Sequence, residues 1–153
     1  FTLTKTDTSV ANALRRVMIA EVPTLAIDLV TIEKNTSPMN DEYVAHRLGM
    51  IPLSSERISE FNYTRDCDCD DMCTRCCVRF ELDVDCHTDS VLITSHDLVN
   101  LDQNDELGRS VEPVHQSGML PTRQLLDRDY GILVLKLGKG QKLKLSALAK
   151  KGI

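Results

Sequence analysis

Four cysteines lie within ten consecutive residues, and this cluster constrains the fold of the chain more than any other feature. They follow the pattern C-x-C-x3-C-x2-C and are Cys67, Cys69, Cys73 and Cys76. A disulfide needs Cβ atoms about 3.5–4.5 Å apart with a fixed torsion, and a bridge across a single residue is strained. Four thiolates about 2.3 Å from one ion suit a short turning loop better. Because four protein ligands leave no position for water or substrate, the pattern predicts a structural metal site in the loop 66–77.

Two further cysteines lie outside this pattern. Cys77 follows the last member and duplicates it, but the C-x2-C spacing favours Cys76 as the fourth ligand. Cys86 lies on the apolar face of a predicted strand, which indicates a buried thiol. An even number of cysteines and two N-x-S/T sequons, at Asn35 and Asn62, are also compatible with a secreted, disulfide-bonded domain. The spacing of the four-cysteine cluster argues against that alternative.

An amphipathic helix is predicted over residues 8–19. Its apolar residues recur at the helical spacings i, i+3, i+4, i+7 and i+8, and they are Val10, Ala13, Leu14, Val17 and Met18. Polar residues before this stripe offer N-caps, and Pro23 prevents the helix from continuing. Asn12, Arg15 and Arg16 lie off the apolar face. We expect the stripe to pack in a domain or dimer core, while periodicity alone favours two solvated arginines.

Two stretches carry a family resemblance. Residues 11–28 (ANALRRVMIAEVPTLAID) and 41–53 (DEYVAHRLGMIPL) resemble the α-motif of the α-like subunits of RNA polymerases. Within that family, the chain is similar to the third-largest subunit of the eukaryotic polymerase II, of which it is a partial chain. The resemblance implies a discontinuous dimerisation domain, here represented by residues 1–50, into which a second domain, residues 51–153, is inserted. The segment that completes the first domain in the family is missing, so we expect residues 1–50 to be marginally stable alone.

The resemblance also implies a metal, an interface and partners. The same cysteine pattern holds one structural zinc ion in the family, with an iron–sulfur cluster, as in archaeal relatives, and free thiols as the alternatives. The implied subunit-interface residues are Asn12, Leu14, Arg15, Arg16, His46 and Arg47. The implied partners are the smaller α-like subunit, the second-largest subunit, which the arginine pair would contact, and two small zinc-binding subunits.

The role implied is that of a non-catalytic assembly scaffold of the nuclear DNA-directed RNA polymerase II. Two alternatives remain open. One is the α-like subunit shared by polymerases I and III, and the other is a free-standing zinc-binding interaction module. The sequence itself contains no phosphate-binding loop, nucleophile motif or zinc-protease motif, which agrees with a chain that is not an enzyme on its own.

The rest of the chain predicts an α+β fold with a mostly β second domain. Residues 25–33 favour a strand whose alternation is interrupted near Leu29 and Val30, by a bulge or by cover on both faces. A short helix follows a cap at Asn40 or Asp41 and ends before Gly49 at its C′ position. Shorter predicted elements are a strand over 50–53, a helical turn at 58–61, strands over 78–86 and 91–95, a loop over 99–128, and a hairpin formed by 132–137 and 142–149.

Composition argues against two classes of partner. The net charge is −5, Trp is absent and aromatic residues make up only 4%, so neither a basic nor a base-stacking surface for nucleic acid is well supplied. Lysines near the C-terminus are expected to be solvated, to contact a protein or to protect a sheet edge. No apolar run approaches the roughly 18 residues of a membrane span. Phe1 is not an initiator methionine, and we expect the chain to be a fragment.

Overall fold

The computed structural model describes residues 2–70, 72–102, 110–114 and 131–152. Its elements form a mixed α+β fold, as the sequence predicted. The helices and strands are α1 (Thr8–Ala20), β1 (Thr24–Asn35), α2 (Asp41–Gly49), β2 (Cys77–Asp85), β3 (Ser90–Thr94), β4 (Val99–Asn100), β5 (Leu133–Gly138) and β6 (Lys142–Gly152). Three short 3-10 turns cover Ile58–Glu60, Thr64–Asp66 and Ser95–Asp97. Among the described residues, no helix is both long and apolar enough to cross a membrane.

The strands form two antiparallel sheets. One has four strands in the order β1-β6-β2-β4, and the other pairs β3 with β5. The centre of the larger sheet is β6, because it pairs with β1 on one side and β2 on the other. Alternate residues of β6 are buried in the core, as the two-residue period of a strand requires, and they are Leu143, Leu145, Ala147 and Ala149.

The predicted C-terminal hairpin is wrong, although both of its strands exist. A turn connects β5 to β6, in which the Gln141 N–H donates to the Gly138 carbonyl and Gly140 adopts φ 77°. However, β5 pairs with β3 while β6 pairs with β1 and β2, so the two strands enter different sheets. The alternating pattern specifies a strand but not its partner. A role of the lysines of β6 in edge protection is therefore also wrong, because β6 is a central strand.

The interrupted alternation of β1 is caused by a β-bulge, one of the two explanations that the sequence allowed. The register of β1 against β6 shifts between Ile27 and Leu29. Before the shift Leu25 and Ile27 are buried, whereas after it Leu29 is exposed and Val30 and Ile32 pack against the core. The extra residue thus moves the inward face from odd to even positions.

The second helix lies on the core as predicted. The Asn40 side chain caps α2 by accepting a hydrogen bond from the Tyr43 N–H, and Val44 and Leu48 are fully buried. The helix packs on β1 and β5. It ends two residues later than expected: Gly49 is its last residue and Met50 is the C-cap, so Gly49 does not occupy the C′ position.

The connecting segments differ in part from the prediction. The helical turn near Phe61 is confirmed by the 3-10 turn Ile58–Glu60. The strand expected over residues 50–53 is reduced to one bridge between Leu53 and Pro113. In the predicted loop 99–128 the structure places the short strand β4, and residues 103–109 and 115–128 lie outside the described residues.

Removing the cap of α2 is expected to destabilise the whole fold. In Asn40→Ala, one N-terminal N–H of α2 loses its acceptor, which costs about 1 kcal/mol of unfolding free energy. For a chain of this size that lowers the melting temperature by about 3 °C. The matched control is Asp7→Ala, which removes the corresponding cap of α1. Because no residue of α1 is buried, calorimetry should show the same melting temperature for Asp7→Ala as for the wild type.

Candidate metal centre and subunit interface

The four clustered cysteines come together around one point. All four Sγ atoms lie within 4.8 Å of one another. The Sγ–Sγ distances are 3.6 Å for Cys67–Cys73, 3.8 Å for Cys69–Cys76 and 3.8 Å for Cys73–Cys76. Four sulfurs placed tetrahedrally at about 2.3 Å from a zinc ion are roughly 3.8 Å apart. The donor set and its spacing therefore fit one tetrahedral thiolate-bound ion.

Local backbone hydrogen bonds shape the loop from both ends. The 3-10 turn Thr64–Asp66 precedes Cys67, whose N–H donates to the Thr64 carbonyl at 3.5 Å. The base of the loop is closed by the Asn62 N–H, which donates to the Arg75 carbonyl at 2.9 Å. These bonds close the segment between residues 62 and 75, so that the first and last cysteines of the cluster lie close together.

A tight turn at Cys73 orients the second half of the cluster. The Cys73 carbonyl accepts the N–H groups of Cys76 and Cys77, each at 3.0 Å. The Cys77 thiol also donates to this carbonyl at 3.3 Å, so it is engaged outside the four-thiol group and buried at the start of β2. Cys86 is fully buried, as predicted, and its thiol donates to the Thr88 carbonyl.

The thiols perturb one another's ionisation. The backbone N–H of Arg75 donates to the Cys73 sulfur and lowers the pKa of that thiol to about 6. Hydrogen bonds with Cys69 and then Cys73 raise the pKa of Cys67 to about 12. Burial raises the pKa of Cys76 to about 11. Without a metal, Cys73 therefore carries negative charge at neutral pH, while Cys67 and Cys76 keep their protons. A cation bound by all four thiolates must displace these protons.

The first helix presents its apolar stripe to solvent. No residue of α1 is buried, and Val10, Leu14, Val17 and Met18 are 43–49% exposed. The expectation that this stripe packs in a core is therefore not met within the described residues of this chain, and the alternative of a dimer core stays a prediction. An amphipathic pattern specifies that a face is to be covered, but not which chain covers it.

The polar residues of α1 divide into a joined pair and an exposed arginine. The Asn12 side-chain oxygen accepts hydrogen bonds from Arg15 Nε at 3.2 Å and from Arg15 Nη2 at 2.9 Å. This contact holds the Arg15 guanidinium along the helix. Arg16 is exposed. Both arginines thus lie on the surface of this chain.

His46 and Arg47 lie on α2, on a different helix from the arginine pair. Arg47 is half-buried and donates to the Tyr43 hydroxyl at 3.0 Å and to the Leu133 carbonyl, which ties α2 to β5. His46 is exposed beside an open groove of about 360 Å³. The groove is lined by Tyr43, His46, Arg47, Met50, Ile132 and Leu133. Arg47 therefore has a structural role within the chain, while His46 is accessible.

Comparison with known proteins decides the family. The sequence profile of the RNA polymerase Rpb3/RpoA insert domain matches residues 30–153. The chain belongs to this family. It is 49% identical over 157 residues to the DNA-directed RNA polymerases II, IV and V subunit 3 of Arabidopsis thaliana, with all of this chain and 47% of that protein covered.

Two further relatives extend across eukaryotes and archaea. The DNA-directed RNA polymerase II subunit rpb3 of Dictyostelium discoideum is 49% identical, with all of this chain and 47% of that protein covered. The DNA-directed RNA polymerase subunit Rpo3 of Methanosphaera stadtmanae is 32% identical, with all of this chain and 50% of that protein covered. The chain thus spans about half the length of these curated relatives.

In this Rpb3/RpoA insert-domain chain, most lysines of the central strand β6 form ion pairs with carboxylates on the neighbouring strands. The pairs are Lys142–Asp83 at 2.9 Å, Lys144–Glu33 at 2.6 Å and Lys150–Asp28 at 2.8 Å. The Asp83 and Glu33 carboxylates raise the pKa values of Lys142 and Lys144, respectively. The sequence alone did not reveal these partners, because the carboxylates lie on other strands far away in the chain.

Sequence reasoning also missed a contact beside the four-cysteine loop of the insert-domain fold. Lys151, near the end of β6, donates to the Phe61 carbonyl at 2.9 Å and lies 4.8 Å from the centre of the Tyr63 ring. The contact joins residues 90 positions apart. No local pattern encodes such a pair, so it becomes visible only once the sheet is assembled.

Proposed function

We propose that this chain is part of a non-catalytic assembly subunit of the nuclear DNA-directed RNA polymerase II, where it supports DNA-templated transcription. The observation that carries the proposal is α1, a 13-residue helix whose apolar face is uncovered in a chain of the Rpb3/RpoA insert-domain family. A helix of this length is marginal in water without tertiary contacts. We therefore expect a second protein surface to cover the exposed stripe, and for an assembly subunit that surface belongs to its partner.

The proposed partners follow from the two faces of α1. Its apolar stripe, including Leu14, docks on the smaller α-like subunit and forms a heterodimer. Arg15, held by Asn12, and Arg16 contact the second-largest subunit. His46, beside the α2 groove, adds a further contact, while Arg47 holds that surface in shape through Leu133. Two small zinc-binding subunits complete the proposed assembly.

The proposed metal is one structural zinc ion bound by Cys67, Cys69, Cys73 and Cys76. The sulfur spacing of 3.6–3.8 Å between adjacent ligands supports a tetrahedral ion. A bound zinc would cross-link both halves of the loop and leave no open position for substrate. The cysteine cluster is thus assigned a structural role, which agrees with a non-catalytic subunit.

Neutralising the arginine pair is expected to weaken assembly without unfolding the chain. In the Arg15→Ala/Arg16→Ala full-length protein, polymerase assembly should fall at least about tenfold, because truncating charges at a buried interface costs about 2–5 kcal/mol. Quantitative pull-down of the second-largest subunit measures the loss. The charge-matched control is Lys136→Ala/Lys139→Ala on and beside β5, where both lysines are exposed. Unchanged assembly of the arginine variant would refute the assigned interface.

The identity of the polymerase is tested by partner analysis. Relatives are named as subunits of polymerase II and, in Arabidopsis thaliana, also of polymerases IV and V, which favours polymerase II. Affinity purification of the tagged full-length protein followed by mass spectrometry should recover the two largest polymerase II subunits. Recovery of polymerase I and III subunits would instead assign the shared α-like subunit. A monomer with no polymerase subunit would indicate a free-standing interaction module.

A further inference from the structure

The end of the central strand holds the residues that lead into the metal loop. The Lys151 amine donates to the Phe61 carbonyl at 2.9 Å and lies 4.8 Å from the Tyr63 ring centre. The Arg65 guanidinium carbon lies at the same distance from this ring. A charged hydrogen bond and a cation–π contact together fix the half-buried amine on this segment.

The segment that Lys151 holds is also the base of the loop. Asn62 lies between Phe61 and Tyr63, and its N–H closes the loop by donating to the Arg75 carbonyl. The Phe61 side chain is buried in the core, which anchors the segment from below. Because Asn62, which closes the loop, is flanked by the two residues that receive the lysine, the backbone positions of the Lys151 partners are linked to closure of the loop.

Lys151 also lies next to the start of β1 in the sheet. In the sheet register Lys151 is opposite Leu25, and the Leu25 N–H donates to the Ser55 hydroxyl at 3.0 Å. Ser55 lies on the segment that runs towards Phe61. Because α1 ends at Ala20 and β1 begins at Thr24, the helix leaves the sheet at this corner. The metal loop, the end of β6 and the exit of α1 therefore meet at one place.

We infer that Lys151 is a positioning residue that couples metal binding in the four-cysteine loop to the sheet corner from which α1 departs. The inference rests on the proposed metal site and extends it. A metal bound by the cysteines holds the loop closed and so fixes the Phe61 carbonyl and the Tyr63 ring, which are the partners of the amine. By linkage, a fixed amine in turn favours the closed loop and so tightens metal binding. The zinc thereby stabilises the base of the docking helix as well as its own loop.

Cobalt titration of the whole chain tests the coupling. Thiolate-bound Co²⁺ gives an intense charge-transfer absorption, so its affinity can be measured directly. Lys151→Met should bind Co²⁺ roughly tenfold more weakly than the wild type, the effect of losing one charged hydrogen bond, while Lys151→Arg should retain most of the affinity. The matched control is Lys144→Met, a half-buried lysine of the same strand that pairs with Glu33 away from the loop. Its affinity should stay within about twofold of the wild type.

Amide exchange at Leu25 provides a second readout that a merely structural lysine would not change. In the wild type, removing the metal with a chelator should accelerate exchange of the Leu25 N–H about tenfold. In Lys151→Met this metal dependence should disappear. If Lys151→Met fails to fold, Tyr63→Leu replaces it, because it removes only the ring contact. This variant should show a smaller decrease in Co²⁺ affinity and a partly reduced effect of the metal on Leu25 N–H exchange.

The outcomes separate the two levels of the proposal. If the wild type and Lys151→Met bind Co²⁺ with equal affinity, the coupling is overturned but the metal site is still supported. If the exchange rate of the Leu25 N–H in the wild type does not change when the metal is removed, the coupling is also overturned. A wild-type chain that binds neither Co²⁺ nor Zn²⁺ overturns the metal site and the coupling with it.

Discussion

Replacing Cys67 and Cys73 by serine together is expected to abolish stoichiometric zinc binding and to unfold the loop 66–77, while both sheets remain folded. The free energy of binding structural zinc in small peptides is about 10–16 kcal/mol at neutral pH. Two hydroxyl groups cannot replace two thiolates as ligands, so most of that free energy is lost. The loop is dominated by cysteine and charged residues, and it buries little apolar surface on its own. Metal binding and loop ordering should therefore be a single event.

The measurement is elemental analysis of protein purified without chelator, combined with hydrogen exchange across the loop. The wild type should contain one zinc per chain, and Cys67→Ser/Cys73→Ser should contain less than about a tenth of that amount. Cys77→Ser is the matched control, because its thiol bonds the Cys73 carbonyl outside the four-thiol group and a hydroxyl can keep that bond. Iron or no metal in the wild type, or full zinc in the double variant, would contradict the assignment.

The features that the sequence predicted correctly are those encoded over a short stretch. The cysteine cluster spans ten residues, so the turn geometry that gathers its sulfurs is local. The regular alternation of apolar and polar residues before Cys86 predicted β2. The interrupted alternation in β1 indicated the bulge that lies at Asp28. In α2 the cap at Asn40 and the burial of Val44 followed from residues a few positions apart.

The features that the sequence did not predict depend on distant residues. The alternation of β5 and β6 could not indicate that they enter separate sheets, because pairing is decided by the full set of strands competing for each edge. The contact of Lys151 with Phe61 likewise depends on the finished sheet. The periodicity of α1 gave a helix with an apolar face, but the same pattern suits a face covered by its own chain and one covered by a partner.

The expectation that all of residues 1–50 are marginal is revised by their unequal contacts. Strand β1 pairs with β6 from Thr24 to Asn35, and α2 contributes fully buried side chains to the core shared with the C-terminal strands. Among the helices and strands of residues 1–50, only α1 has no buried residue. The proposed domain boundary at residue 50 stays a prediction, but strands from both sides of it form one sheet. The marginal part of this chain is therefore reduced from fifty residues to the first helix.

Hydrogen exchange of the isolated chain is expected to separate α1 sharply from the sheet. Amides of residues 13–18 should exchange nearly as fast as in an unfolded peptide, because a 13-residue helix without tertiary contacts opens readily. Amides of residues 80–84 should exchange only on global unfolding, since this stretch of β2 is paired with β6 throughout and Phe80 and Leu82 are fully buried. With a global stability of at least about 5 kcal/mol, the two sets should differ in protection by more than about a thousandfold.

A second helix and a partner make this exchange experiment decisive. The amide of Leu48 in α2 serves as the helical control and should be protected, because its side chain is in the core. Addition of the smaller α-like subunit should raise the protection of residues 13–18 towards that of α2, since docking covers the stripe of Val10, Leu14 and Val17. Strong protection of α1 in the isolated chain would show that this helix finds its cover without a partner. No change on adding the subunit would place the heterodimer contact elsewhere, because an amphipathic helix gains stability only from the surface that buries its apolar face.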